Sequence, residues 1–179
     1  MKDLSNAETA LLGLLSERPM YPYQIEHEVK FRDIRFWTEL SMSSIYKLLR
    51  KLEKEDFVER TNEISNENRL RKLYRISKKG EEMLVTKIES LLTSPEHIRW
   101  QVDIGIYNAD LIDRAVVIKS LKKYKLALQE KIKGYKDLQQ FLIDSQCPSH
   151  RFAVAERPIF LLQAEIQWIE SYLERFNQN

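Results

Sequence analysis

One cysteine, Cys147, stands in 179 residues. That excludes an intramolecular disulfide framework and fits a reducing compartment. Only 4 glycines and 5 prolines are present, which excludes collagen-like and low-complexity architectures. No apolar run approaches the roughly 18–20 residues a membrane-spanning helix needs. The start, Met1-Lys2-Asp3-Leu4-Ser5, lacks the layout of a signal peptide. A soluble, cytoplasmic chain without a membrane partner is expected. The sequence also lacks a Gly-rich phosphate loop, a nucleophile elbow and a His-Glu-x-x-His motif. His27, His97 and His150 lie far apart, and Cys147-x-x-His150 lacks the second pair of a structural zinc site. No enzyme activity, metal or cofactor is expected.

What is present is 43% hydrophobic and 31% charged, rich in Leu, Lys and Glu. With so little glycine, this composition reads as mainly α-helical. The length permits one large domain or two small ones. The net charge is only +2, but a basic excess gathers in the first 80 residues. Arg69, Arg71, Lys72, Arg75, Lys78 and Lys79 follow one another with no acid between them. Such local concentration of one sign is an electrostatic footprint even in a nearly neutral chain.

Ser5 and Glu8 have the spacing of a capping box, and Ala7, Ala10, Leu11, Leu14 and Leu15 form one helical stripe. Pro19 ends that helix, and Pro22 begins a second through Val29. A loop over 31–37 leads to a third helix from about Met42 to about Glu55. The period then changes. Phe57-Val58-Glu59-Arg60 is expected to be a short strand. Asn62, Ser65, Asn66 and Asn68 are turn formers, and Leu70 to Ile76 alternates as a second strand. Ser77-Lys78-Lys79-Gly80 leads into another helix through Leu92.

Helix, helix, helix, hairpin is a winged helix-turn-helix. Its third helix turns Ile45, Leu48, Leu49 and Leu52 inward and leaves Ser43, Ser44, Tyr46, Lys47 and Arg50 outside. A helix fits the major groove of B-DNA with its N-terminal residues at base edges. Arg pairs bidentately with guanine, and Lys reaches phosphate or base. These five residues are therefore the candidate DNA contacts, and a merely solvated helix face is the plain alternative. Arg69, Arg71 and Lys72 on the wing are expected to reach the sugar-phosphate backbone or the minor groove, with charge protecting an edge strand as the alternative.

Ser94-Pro95 suggests a break. Beyond it, Val117 to Leu142 forms a long amphipathic helix interrupted by Gly134. Ser145 to Ser149 is a turn. From Pro158 onward Leu162, Ile166, Ile169, Leu173 and Phe176 form a last stripe, which a partner subunit is expected to cover. Leu11 of the first helix is expected to assist that dimerisation. Aromatic residues including Tyr21, Phe36, Tyr107 and Tyr124 either pack in cores or line an effector pocket, and Trp37, Trp100 and Trp168 are the candidates for the pocket.

Three segments carry a family resemblance. "AETALLGLLSERPMYPYQI" (Ala7 to Ile25), "FWTELSMSSIYKLLRKLEKEDFVER" (Phe36 to Arg60) and "RLRKLYRISKKGEEML" (Arg69 to Leu84) resemble the PadR family of bacterial transcriptional regulators. "FLLQAEIQWIESYLERF" (Phe160 to Phe176) is similar to the longer subfamily with a virulence-activator-type C-terminal helical domain. The chain departs from the family in having Pro22 and Asp56 where glycine is usual. Asp tolerates the left-handed conformation a helix C-terminus often needs.

The resemblance implies a winged helix-turn-helix domain over 1–85 and a helical dimerisation and effector domain over 86–179. It implies a homodimeric regulator, a repressor by expectation, on a near-palindromic operator in double-stranded DNA. Tyr23 joins the expected DNA contacts. Release by a small aromatic or hydrophobic effector is a further implication, since some relatives respond to phenolic acids or drugs. The rival reading is a winged-helix adaptor that binds proteins, favoured by the acids Glu53, Glu55 and Asp56 on the third helix.

Overall fold

The computed structural model describes residues 3–32, 34–64 and 68–178, apart from the side chains of 36, 177 and 178. The expected turn formers Ser65 and Asn66, the Met1-Lys2 start and Asp33 of the loop lie outside the described residues, as does the Phe36 side chain. The chain forms two compact units, Met1–His97 and Ile98–Asn179.

The first unit holds α1 (Asn6–Glu17), α2 (Pro22–Phe31), α3 (Met42–Lys54), β1 (Val58–Ile64), β2 (Leu70–Ile76) and α4 (Lys78–Thr93), with one helical turn at Ile34–Phe36. Each start has a local cause. Ser5 caps α1 in a reciprocal box with Glu8. Pro22 occupies the first turn of α2, where its missing N–H leaves no bond unmade. Ser77 caps α4 by accepting from Gly80 N–H at 3.0 Å. Leu11, Leu12, Leu15, Ile25, Ile45, Leu49 and Leu52 meet in the core with almost no exposure. Each such side chain contributes roughly 1.5–3 kcal/mol of burial.

The exit from α3 depends on Asp56. It takes φ 61°, its N–H donates to the Glu53 carbonyl, and Phe57 N–H donates to the Leu52 carbonyl at 2.9 Å. That is a Schellman closure with aspartate in the usual place of glycine. Phe57 is thereby drawn out of the strand expected for it and buried. The strand instead runs on to Ile64, and Asn62, expected in the turn, pairs with Lys72. An antiparallel partner outweighs the weak turn preference of one asparagine. Met20 adds an isolated bridge to the outer edge of β2, exchanging both backbone bonds with Tyr74 at 2.9 and 3.0 Å.

The second unit holds α5 (Gln101–Tyr107), a helical turn at Ala109–Leu111, α6 (Arg114–Asp144) and α7 (Ser149–Gln178). α6 and α7 form a helical hairpin closed by another left-handed residue, Gln146 at φ 51°. α7 begins at Ser149, well before the expected Pro158, which lies inside it. Pro158 removes one backbone donor, but Ala155 and Ile159 on either side are buried, and that packing carries the helix through. Leu162, Ile166, Ile169, Leu173 and Phe176 cluster with Val117, Leu121 and Leu128 of α6; Ile169 is fully buried there and the other four of the stripe stay partly exposed. Leu11 is fully enclosed in the core of the first unit and has no surface to give to a second subunit. No helix among the described residues is long and apolar enough to cross a membrane.

Candidate nucleic-acid interface

α3 is built to be held on one side and open on the other. Ser41 caps it, accepting from Ser44 N–H at 3.3 Å, while Ser44 Oγ accepts from Ser41 N–H at 3.0 Å. The Ser44 hydroxyl proton goes to the Ser41 carbonyl at 2.7 Å. Ser44 is therefore half-buried and occupied in capping. Ser43 is exposed, with its hydroxyl 3.2 Å from that of Ser41. Ser41 belongs to this cluster and was missed in the sequence; its place just before a helical stripe and three residues ahead of Ser44 was the available signal.

Ile45, Leu49 and Leu52 fix the inner face of α3. Tyr46, Lys47 and Arg50 project outward, Tyr46 half-exposed at 50%. Neither Lys47 nor Arg50 enters an ion pair among the described residues. Other cations of the unit are engaged: Lys51 with Glu8, Arg60 with Glu53 at 3.1 Å, and Arg32 with both Glu17 and Glu28. Glu53 is thus taken by Arg60, and Asp56 lies 3.7 Å from Lys79. Glu53 sits in the last turn of α3, and Glu55 and Asp56 lie beyond its end, away from the N-terminal part that carries Ser43, Tyr46 and Lys47.

On the wing, Arg69, Arg71 and Lys72 are all exposed. Arg71 and Lys72 form no ion pair among the described residues, in contrast to Arg75, whose Nε donates to Glu59 at 2.8 Å. Tyr23, at the start of α2, is 53% exposed and stacks on Tyr21 with ring centres 5.6 Å apart. The open face of α3, Tyr23 and the wing belong to one compact unit. Together they offer cations and hydroxyls to a polyanion. No cluster of His, Cys, Asp or Glu among the described residues could hold a metal ion.

The three tryptophans are divided between the two units. Trp37 is exposed in the loop before α3, in the first unit. Trp100 precedes α5, and Trp168 lies at a tilt beside Tyr172 with ring centres 5.5 Å apart, both in the second. A concavity of about 600 Å³ lies between the end of α3 and α4, lined by Phe57, Lys79 and Met83 among others. Another of about 510 Å³ is lined by Ile106, Tyr107, Arg114, Tyr172 and Phe176. Neither includes a tryptophan.

The sequence pattern of the transcriptional regulator PadR-like family matches residues 11–86, and that of the virulence activator alpha C-terminal domain matches residues 104–177. No curated protein matches closely enough to serve as a relative. Among solved structures, the fold is similar to Bacillus subtilis PadR in complex with p-coumaric acid (TM-score 0.79, 21% identity, 100% of each chain). It is similar to the same regulator in complex with operator DNA (TM-score 0.76, 21% identity, 94% of this chain and 98% of that one). It also resembles the Vibrio cholerae virulence activator AphA (TM-score 0.71, 17% identity, 97% and 99%).

Proposed function

This chain belongs to the transcriptional regulator PadR-like family, and from that premise we propose that it is a cytoplasmic, homodimeric, sequence-specific DNA-binding regulator that acts as a repressor. The carrying observation is the outer face of α3: Lys47 and Arg50 project, without an ion pair among the described residues, from a helix whose inner face is locked into the core. In this reading α3 enters the major groove. Arg50 reads a base edge, Lys47 and Ser43 bind near the helix N-terminus, and Tyr46 and Tyr23 support them. Arg71 and Lys72 carry the wing to phosphates, with Arg69 near the tip. The domains of the reading are 1–85 for DNA and 86–179 for dimerisation. Two such units place their recognition helices about 34 Å apart on a near-palindromic site.

The C-terminal half supplies the dimer. Leu162, Ile166, Leu173 and Phe176 stay partly exposed beside α6, and Leu126, Phe141, Ile143, Phe160 and Leu161 add exposed apolar surface on the two long helices for a second copy. A small aromatic effector is the regulatory part of the reading. It is supported by the likeness to Bacillus subtilis PadR, which is described in complex with p-coumaric acid. The test is a gel-shift titration against the DNA upstream of the protein's own gene, in excess competitor and at two salt concentrations. A discrete complex that survives competitor supports the reading. No binding at low salt defeats it. Adding p-coumaric acid to the complex, and following Trp37, Trp100 and Trp168 fluorescence, tests the effector.

A further inference from the structure

Two Glu–Arg pairs face each other across the wing at equivalent positions. Glu59 lies opposite Arg75, and Glu63 lies opposite Arg71. Residues four apart on a strand share a face, so the two pairs have the same geometry available to them. Only the first closes. Arg75 donates to Glu59 from Nε at 2.8 Å and from Nη2 at 2.5 Å. Glu63 instead accepts the phenol proton of Tyr21 at 2.5 Å, and Arg71 enters no ion pair among the described residues.

Tyr21 is held for this contact from three directions. Its neighbour Met20 is bridged to Tyr74, its own N–H donates to the Gln24 side chain at 2.9 Å, and its ring stacks on Tyr23 within 8° of parallel. The carboxylate in turn pushes the Tyr21 phenol pKa up, this bond being the largest cause. A hydrogen bond to an ionised acceptor is about twice as strong as a neutral one. The bond holds Glu63 Oε2 toward Tyr21 rather than toward Arg71.

We propose that Tyr21 is a positioning residue for DNA recognition: by capturing Glu63 it prevents the Glu63–Arg71 pair and keeps Arg71 available to phosphate. The proposal rests on the DNA-binding reading above, and it explains why one cross-strand arginine of the wing is neutralised and the other is not.

The test uses full-length Tyr21→Phe, Glu63→Gln and the double variant, with thermal melting to show that each folds. Tyr21→Phe keeps the stacked ring and loses only the hydroxyl. It is expected to weaken operator binding about three- to tenfold and to lower the salt slope by about one. Adding Glu63→Gln to Tyr21→Phe is expected to restore both, because no carboxylate remains to trap Arg71. Glu63→Gln alone is expected to bind at least as tightly as the parent protein. Independently of DNA, the Arg71 Nε–H resonance is expected to move in Tyr21→Phe toward the slowly exchanging behaviour of Arg75. An unmoved Arg71 resonance overturns the proposal, as does a binding defect that Glu63→Gln fails to rescue. Unimpaired binding by Lys47→Ala, Arg50→Ala and Tyr21→Phe alike overturns the DNA-binding reading itself, and the resonance still reports whether Tyr21 holds Glu63.

Discussion

Glu8 of α1 and Lys51 of α3 form an ion pair, and the same carboxylate accepts the Ser5 N–H at 2.9 Å to cap its own helix. The Glu8 side chain is only 2% exposed, while Lys51 reaches it from a side chain 42% exposed. One buried acid thus joins the first helix to the recognition helix. Burial alone would raise the Glu8 pKa, but the Lys51 ammonium and the Ser5 donors outweigh it and leave the group below its ordinary value.

A carboxyl whose folded pKa is depressed contributes stability above its unfolded pKa and loses it as pH falls through the folded value. The first unit is therefore expected to weaken on acidification below the ordinary Glu range. Glu8→Gln is expected to be less stable at neutral pH and to show a shallower acid limb, followed by urea unfolding at a series of pH values. Lys51→Ala, which leaves the buried carboxylate without its cation, is expected to cost about 1–3 kcal/mol.

Lys47 and Arg50 make no ion pair among the described residues, so replacing either by Ala is expected to leave thermal stability within about 0.5 kcal/mol of the parent. Operator binding is the property expected to fall. Lys47→Ala should lower the salt slope by about one with similar effect on all sequences, and Arg50→Ala should cost about 1–3 kcal/mol and relax preference at one base pair. Fluorescence anisotropy against matched and mutated sites separates the two.

Asp56 pays for its left-handed backbone with side-chain crowding that glycine escapes. Asp56→Gly is expected to stabilise the first unit by about 0.5–1 kcal/mol, since the exposed contact to Lys79 at 3.7 Å is a weak one to lose. Denaturant midpoints measure it.

Gly80 has the opposite constraint. A Cβ there would sit 2.1 Å from the Phe57 carbonyl oxygen, a backbone atom that cannot swing away. Gly80→Ala is expected to destabilise by more than about 2 kcal/mol, toward the upper end for single substitutions. The measurement is the denaturation midpoint of the full chain.

In the second unit, burial and the nearby Asp103 raise the Glu165 pKa against a hydrogen bond from Tyr124. One of its carboxylate oxygens has no hydrogen-bond partner among the described residues. A raised folded pKa contributes stability at low pH and loses it as pH rises through that value. Glu165→Gln is expected to stabilise the α6–α7 pair at neutral pH and to flatten its pH dependence, measured by circular dichroism melts between acid and neutral pH.

The α3 face was legible because Ile45, Leu49 and Leu52 keep the helical period, although the Ser41 cap that starts it was missed. The wing was legible in the two-residue alternation of Leu70 to Ile76. Local patterns failed where partners decide. Asn62 is a turn former by type and a strand residue by pairing. Pro158 reads as a helix start until Ala155 and Ile159 are seen buried on each side of it. The stripe from Leu162 to Phe176 shows that something covers it, but periodicity carries no information about whether that is α6 or another subunit. The Tyr21–Glu63 contact spans 42 residues, beyond the reach of any helical or strand spacing.

The Met20–Tyr74 bridge has an evolutionary consequence. It makes the short connection between α1 and α2 part of the wing, so the length of that connection is tied to strand register. A single inserted or deleted residue between Pro19 and Pro22 would reverse which side chains face the hairpin and turn Tyr21 away from Glu63. Homologues should therefore keep the number of residues here, and length changes should accumulate at the wing tip instead.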